Sequence, residues 1–133
     1  MIPPFNEDGF LPPGVHSASL DEIDERFGQL SEIRSVQMDS VRWMVELSRQ
    51  AGVERVVLNG NFTTDIMEPN DVDCVLLFLP GRYRDQSAIQ QLRGGLPFLE
   101  LKLVGQEDFD DYLNAIFATD RMGVLKGMIE VIL

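Results

Sequence analysis

Residues 71–79 read Asp-Val-Asp-Cys-Val-Leu-Leu-Phe-Leu, and every position after Asp73 is apolar. Side chains alternate between the two faces of a strand, so a strand here is apolar on both faces and belongs in the middle of a sheet with cover on each side. Its first residues make the opposite demand. Asp71 and Asp73 point the same way, two residue rises or roughly 6 to 7 Å apart. An ionised carboxylate taken into a core without a partner costs several kcal/mol, so the pair calls for a cation or a row of donors. Turn chemistry offers a simpler account: Pro69-Asn70-Asp71 forms the turn, and Asp73 accepts from backbone amides.

The flanking sequence supplies the rest of an α+β fold, a small mixed sheet with helices packed against it. Residues 1–16 hold four of the seven prolines together with Ile2, Phe5, Phe10, Leu11 and Val15, which predicts an ordered, extended arm pinned to the domain. Ser19-Leu20-Asp21-Glu22 has the form of a capping box opening a short helix that stops at Gly28. Residues 31–50 carry Ile33, Val36, Val41, Met44, Val45 and Leu47 on one stripe before Ala51-Gly52, predicting a long amphipathic helix. Strands follow at 55–59 and 71–79, separated by a polar, turn-rich connection at 60–70. A short helix is expected at 85–93. A third strand at 98–104 sets Leu99, Leu101 and Leu103 opposite Glu100 and Lys102. Residues 107–118 have helical spacing, and 126–133 form a terminal strand after a turn near Met122-Gly123.

At 133 residues the chain is expected to form one domain over 1–133. Its formal charge of -11 repels phosphate backbones and argues against general nucleic-acid binding. Cys74, the only cysteine, lies in the apolar run and reads as a buried reduced thiol. With neither a secretory leader pattern nor an apolar run near ~18 residues, the expected setting is cytoplasmic, away from membranes. His16, the only histidine, is expected to pin the arm by a hydrogen bond.

If the strand at 98–104 pairs with that at 71–79, Glu100 comes beside Asp73, and three carboxylates converge in a set suited to Mg²⁺. The bland reading of Glu100 is a solvated edge-strand acid paired with Lys102 or a cross-strand lysine. Gly60 either binds phosphate or simply holds a positive φ. Arg121 and Lys126, near the terminal turn, either neutralise a phosphate or balance acids in the preceding helix.

Gly60-Asn61 followed by Asp71-Val72-Asp73 resembles the pattern of polymerase-beta-type nucleotidyltransferases, a glycine turn and then Asp-x-Asp, with Glu100 where a third carboxylate would fall. The resemblance implies that Gly60 and Asn61 hold the triphosphate of an NTP. It also implies that Asp71, Asp73 and Glu100 are the catalytic and metal-binding residues for Mg²⁺-dependent transfer of NMP to a hydroxyl. The segments "IPPF", "LPPGVH" and "TDRMGVLKGMIEVIL" resemble an uncharacterised bacterial family regarded as nucleotidyltransferase-like and sometimes linked to toxin–antitoxin or defence loci. Asn61 stands in place of the usual Ser or Gly, and Glu100 in place of the commoner Asp. No further helical domain is expected to hold an acceptor. Those departures suit the alternative, a catalytically idle module that binds a protein partner.

Overall fold

The computed structural model describes residues 2–81, 84–120 and 122–133. Strand β1 (Gly14–Ala18) comes first, followed by α1 (Leu20–Ile23), which runs on as a π-helical turn to Gly28. Ser19 accepts from the Glu22 amide while the Glu22 side chain accepts from the Ser19 amide, so the capping box forms as the sequence predicts. Helix α2 (Glu32–Ala51) opens with Ser31 accepting from the Arg34 amide and closes at Gly52, whose φ of 78° is the left-handed stop that glycine allows. Then come β2 (Arg55–Asn59), a 3-10 turn at Asn61–Thr63, β3 (Val72–Leu77), α3 (Gln86–Arg93) and β4 (Leu99–Val104). Helix α4 (Gln106–Asp111) continues as a π-helical segment through Ile116, and β5 (Gly127–Val131) completes the set.

The strands form one mixed sheet in the order β1-β5-β2-β3-β4. β3 runs antiparallel to β2 and parallel to β4, so the strand that is apolar on both faces lies in the interior, as its composition requires. Alternation splits its side chains between two cores. Val72, Cys74 and Leu76 join the larger core under α1, α2 and α3, while Val75 and Leu77 join Val57, Phe109, Phe117 and Met128 under α4. Asp73 shares the second face, at the end where α4 stops covering it. Burying each large apolar side chain contributes about 1.5–3 kcal/mol, so the two cores hold the sheet from both sides.

The arm packs on the domain. Leu11 is fully buried and Ile2 nearly so, and Phe5 lies against Phe27 with ring centroids 6.0 Å apart. Arg26 stacks over Phe5 at 4.4 Å and donates to the Pro3 carbonyl at 2.9 Å. His16 Nε2 donates to the Pro12 carbonyl at 2.7 Å. Two features differ from expectation. The arm ends in β1, a parallel edge strand on β5, and Val15 is exposed because β1 buries only Ala18. In α2 the buried stripe is rotated: Val36 is exposed, and the polar Arg34 and Gln37 face inward with Met38, Val41, Met44 and Val45. Cys74 is a buried free thiol, and burial pushes its pKa up. Among the described residues no helix is long and apolar enough to cross a membrane.

Candidate functional site

Register places the site. Asn59 on β2 pairs with Asp73 on β3, and Asp73 pairs with Glu100 on β4, so three polar side chains form one row across three adjacent strands. The row lies where the strands run out from beneath α4, and it faces a cleft of about 690 Å³. Gly60, Asn61, Asp71, Asp73 and Glu100, the five residues singled out from the sequence, all line this cleft. Asp73 and Glu100 stand in the row, while Asp71 precedes β3 and is exposed at the mouth. Lys126, Asp120, Asn70 and Thr119 add polar groups, and Phe10, Ile66, Ile116, Phe117 and Met122 add apolar ones. Arg121 lies outside the described residues.

Gly60 has φ 83° and ψ −161°, a conformation essentially confined to glycine. A Cβ there would stand 2.5 Å from Asp73 Oδ2. Glycine is therefore needed twice, for the turn and for the close approach of the backbone to the carboxylate. The connection that follows is held by Arg34. Its guanidinium, fully buried, donates to the carbonyls of Phe27, Phe62, Asn61, Thr64 and Ile66 at 2.5–3.2 Å. One charged fork thus satisfies a row of loop carbonyls that would otherwise lie buried and unpaired. Gln37 Nε2 adds a bond to the Pro69 carbonyl at 2.6 Å, just before Asn70 and Asp71.

The electrostatics of the row are unfavourable as it stands. Asp73 has its pKa raised to about 6, first by burial, then by the hydrogen bond and negative charge of Glu100, with Asp71 adding a smaller push and Lys126 opposing. Burial and the neighbouring negative charge thus make Asp73 harder to ionise than a free carboxyl. Burial lowers the pKa of Lys126, and the charges of Asp73 and Asp120 oppose that shift. Glu100 also pairs with Lys102, 3.4 Å away, so the bland pairing expected for it and the approach to Asp73 occur together. Asn59 donates to the Phe117 carbonyl at 3.4 Å, while its buried Oδ1 has no hydrogen-bond partner among the described residues.

Oxygen donors of this kind suit a hard cation. Asp73 and Glu100 would hold it, with Asp71 at the mouth, and the charge would relieve the repulsion within the pair. Among the described residues no three His, Cys, Asp or Glu side chains are grouped so as to hold an ion by themselves. Mg²⁺ fits such an incomplete set, because it commonly takes one or two carboxylates and completes its shell with water and substrate phosphates.

Three contributors were missing from the sequence reading. Asn59 follows from register alone, once β2 and β3 are paired through Leu58 and Cys74. Asp120 and Phe10 come from the C-terminal turn and the arm, which only tertiary packing brings to the cleft.

The chain belongs to a family of unknown function, DUF6932, whose profile matches residues 3–132. No curated protein is similar enough in sequence to count as a relative. Among solved structures the chain is similar to a Sulfolobus solfataricus protein described as a candidate nucleotidyltransferase, with 14% identity over 81% of this chain and 93% of that one and a TM-score of 0.39.

Proposed function

We propose that the cleft binds a nucleoside triphosphate together with Mg²⁺ and that the protein transfers a nucleotidyl group to a hydroxyl acceptor. The observation that carries this reading is the Asp73–Glu100 pair, a half-buried carboxyl aligned with an exposed one on the neighbouring strand, under a glycine turn that closely approaches the buried one. Such a pair is costly in an empty cleft and favourable once a cation enters. Asp71, Asp73 and Glu100 are the residues assigned to the metal. When bound, the ion would screen the phosphate charge and polarise the α-phosphoryl group.

The chain's own groups have separate tasks. Gly60, lacking a side chain, lets phosphate oxygens approach the backbone at Asn61. Arg34 keeps the 60–66 connection in one conformation, which preorganises that turn. In the transfer the acceptor oxygen forms a bond to the α-phosphorus, the bond from that phosphorus to the bridging oxygen breaks, and pyrophosphate leaves with the electron pair. The acceptor's proton passes to the Glu100 carboxylate.

A direct test incubates the protein with each α-³²P-labelled NTP and Mg²⁺, with candidate RNA and protein acceptors present. Label in an acid-stable product from wild type, and none from Glu100→Gln, supports transfer. Nucleotide binding without label transfer would support a second reading, an idle module that docks a protein, such as the other component of a toxin–antitoxin or defence pair. One observation favours that reading: the cleft rim exposes Ile66, Ile116 and Met122, the last at 86%.

A further inference from the structure

The chain has only two lysines, Lys102 and Lys126, and both stand beside the acid pair. Lys102 lies 3.4 Å from Glu100 at the outer edge of the sheet. Lys126 approaches from the opposite side, at the foot of β5, where its charge acts on Asp73 and Asp120.

Three arginines of the fold are committed elsewhere. Arg34 is spent on loop carbonyls, Arg42 on Asp21 and Asp24, and Arg55 on Glu130. Lys126 makes no ion pair within 4.0 Å among the described residues, and it is the one cation among the described residues that line the cleft. It is also well placed. Its amide donates to the Ala118 carbonyl at 3.0 Å, and Thr119 and Leu125 form a β-bridge beside it. The intervening turn is closed by Asp120 Oδ1, which accepts from the Met122 and Val124 amides, both at 2.9 Å. Much of the hydrogen-bonding capacity of Asp120 therefore goes to holding the turn that carries Lys126.

We infer that Lys126 is the phosphate-engaging residue of the cleft: its ammonium receives a polyphosphate oxygen on the side opposite Glu100. This rests on the nucleotide reading above and deepens it. Without a cation, the ammonium is the only positive charge among the described cleft residues that offsets Asp73 and Asp120. Once a cation neutralises the acids, Lys126 is released toward the incoming anion. A flexible stem ending in a compact point charge suits this exchange better than the rigid fork of an arginine.

Pyridoxal 5′-phosphate with borohydride reduction is the probe, since it labels lysines at phosphate sites and only two lysines compete. Peptide mass spectrometry is expected to find Lys126 labelled and protected by inorganic triphosphate and by Mg·ATP, with Lys102 unprotected by either. Lys126→Met is expected to weaken Mg·ATP binding by about tenfold or more, and Lys126→Arg to recover part of the loss. If Mg·ATP binds wild type and Lys126→Met equally and leaves Lys126 labelling unchanged, the inference is overturned while the nucleotide reading stands. If Mg·ATP does not bind but triphosphate still protects Lys126, the anion role stands and the nucleotide reading falls. Absence of protection by either ligand removes the inference, whether or not the Met variant folds.

Discussion

Replacing Asp73 with Asn should make the free protein more stable at neutral pH, by an amount the electrostatics of the row allow to be worked out. The folded-state pKa rises from 3.8 to about 6, so between those values the native protein holds a proton that the unfolded chain has released. The stability tied to that proton is fully present below about pH 4 and is lost as pH climbs through about 6. At about 1.4 kcal/mol per unit the ceiling is near 3 kcal/mol. Asp73 is only half-buried, and solvent screening reduces this to about 1–2 kcal/mol. Asn is nearly isosteric, keeps the spacing to Gly60, and can donate to Glu100 where the carboxylate could not. Urea denaturation of both proteins from about pH 4 to pH 8 isolates the effect as a difference. The variant's advantage should be near zero at the acid end and reach about 1–2 kcal/mol above pH 7. A variant less stable than wild type at pH 7 by about 1 kcal/mol would refute the reasoning and point to a carboxylate satisfied by backbone amides.

Gly60→Ala should cost about 2–3 kcal/mol, because it places a Cβ 2.5 Å from Asp73 Oδ2 at a backbone conformation alanine disfavours. Paired with Asp73→Ala it should lose less than the two separate losses added together, and strict additivity in denaturant melts would show that the contact does not matter. Arg34→Met should destabilise by more than about 3 kcal/mol, since the loop carbonyls lose their donors, and a loss below about 1 kcal/mol would mean that solvent replaces the guanidinium at little cost.

Side-chain patterning made most of the fold legible, and its failures share a cause. The capping box at Ser19, the Gly52 stop and the two-faced run after Asp73 each follow from one local rule and appear in the structure. β1 escaped because an edge strand is defined by backbone pairing to β5, and only one of its five residues, Ala18, is buried. The α2 stripe was misplaced because apolarity was taken as the mark of burial. Arg34 and Gln37 are buried for the sake of loop carbonyls contributed by residues about thirty positions away. The site divides in the same way. Asp73 and Glu100 were legible from alternation plus one assumed pairing, and Gly60 from its place before the acids. Asn59 needed the register, and the position of Lys126 against the acids needed β5 to be threaded between β1 and β2.

The central claim is that the acid row exists to hold a cation together with phosphate, and titration calorimetry tests it most directly. Mg·NTP is titrated into wild type and into the Asp71→Asn, Asp73→Asn double variant, with NTP alone and Mg²⁺ alone as controls, and far-ultraviolet circular dichroism verifies that both proteins are folded. The account predicts saturable Mg·NTP binding to wild type, weakened when Mg²⁺ is left out, and a folded double variant that has lost it. A folded wild type that takes up no Mg·NTP, or a double variant that binds it as tightly as wild type, would contradict the account.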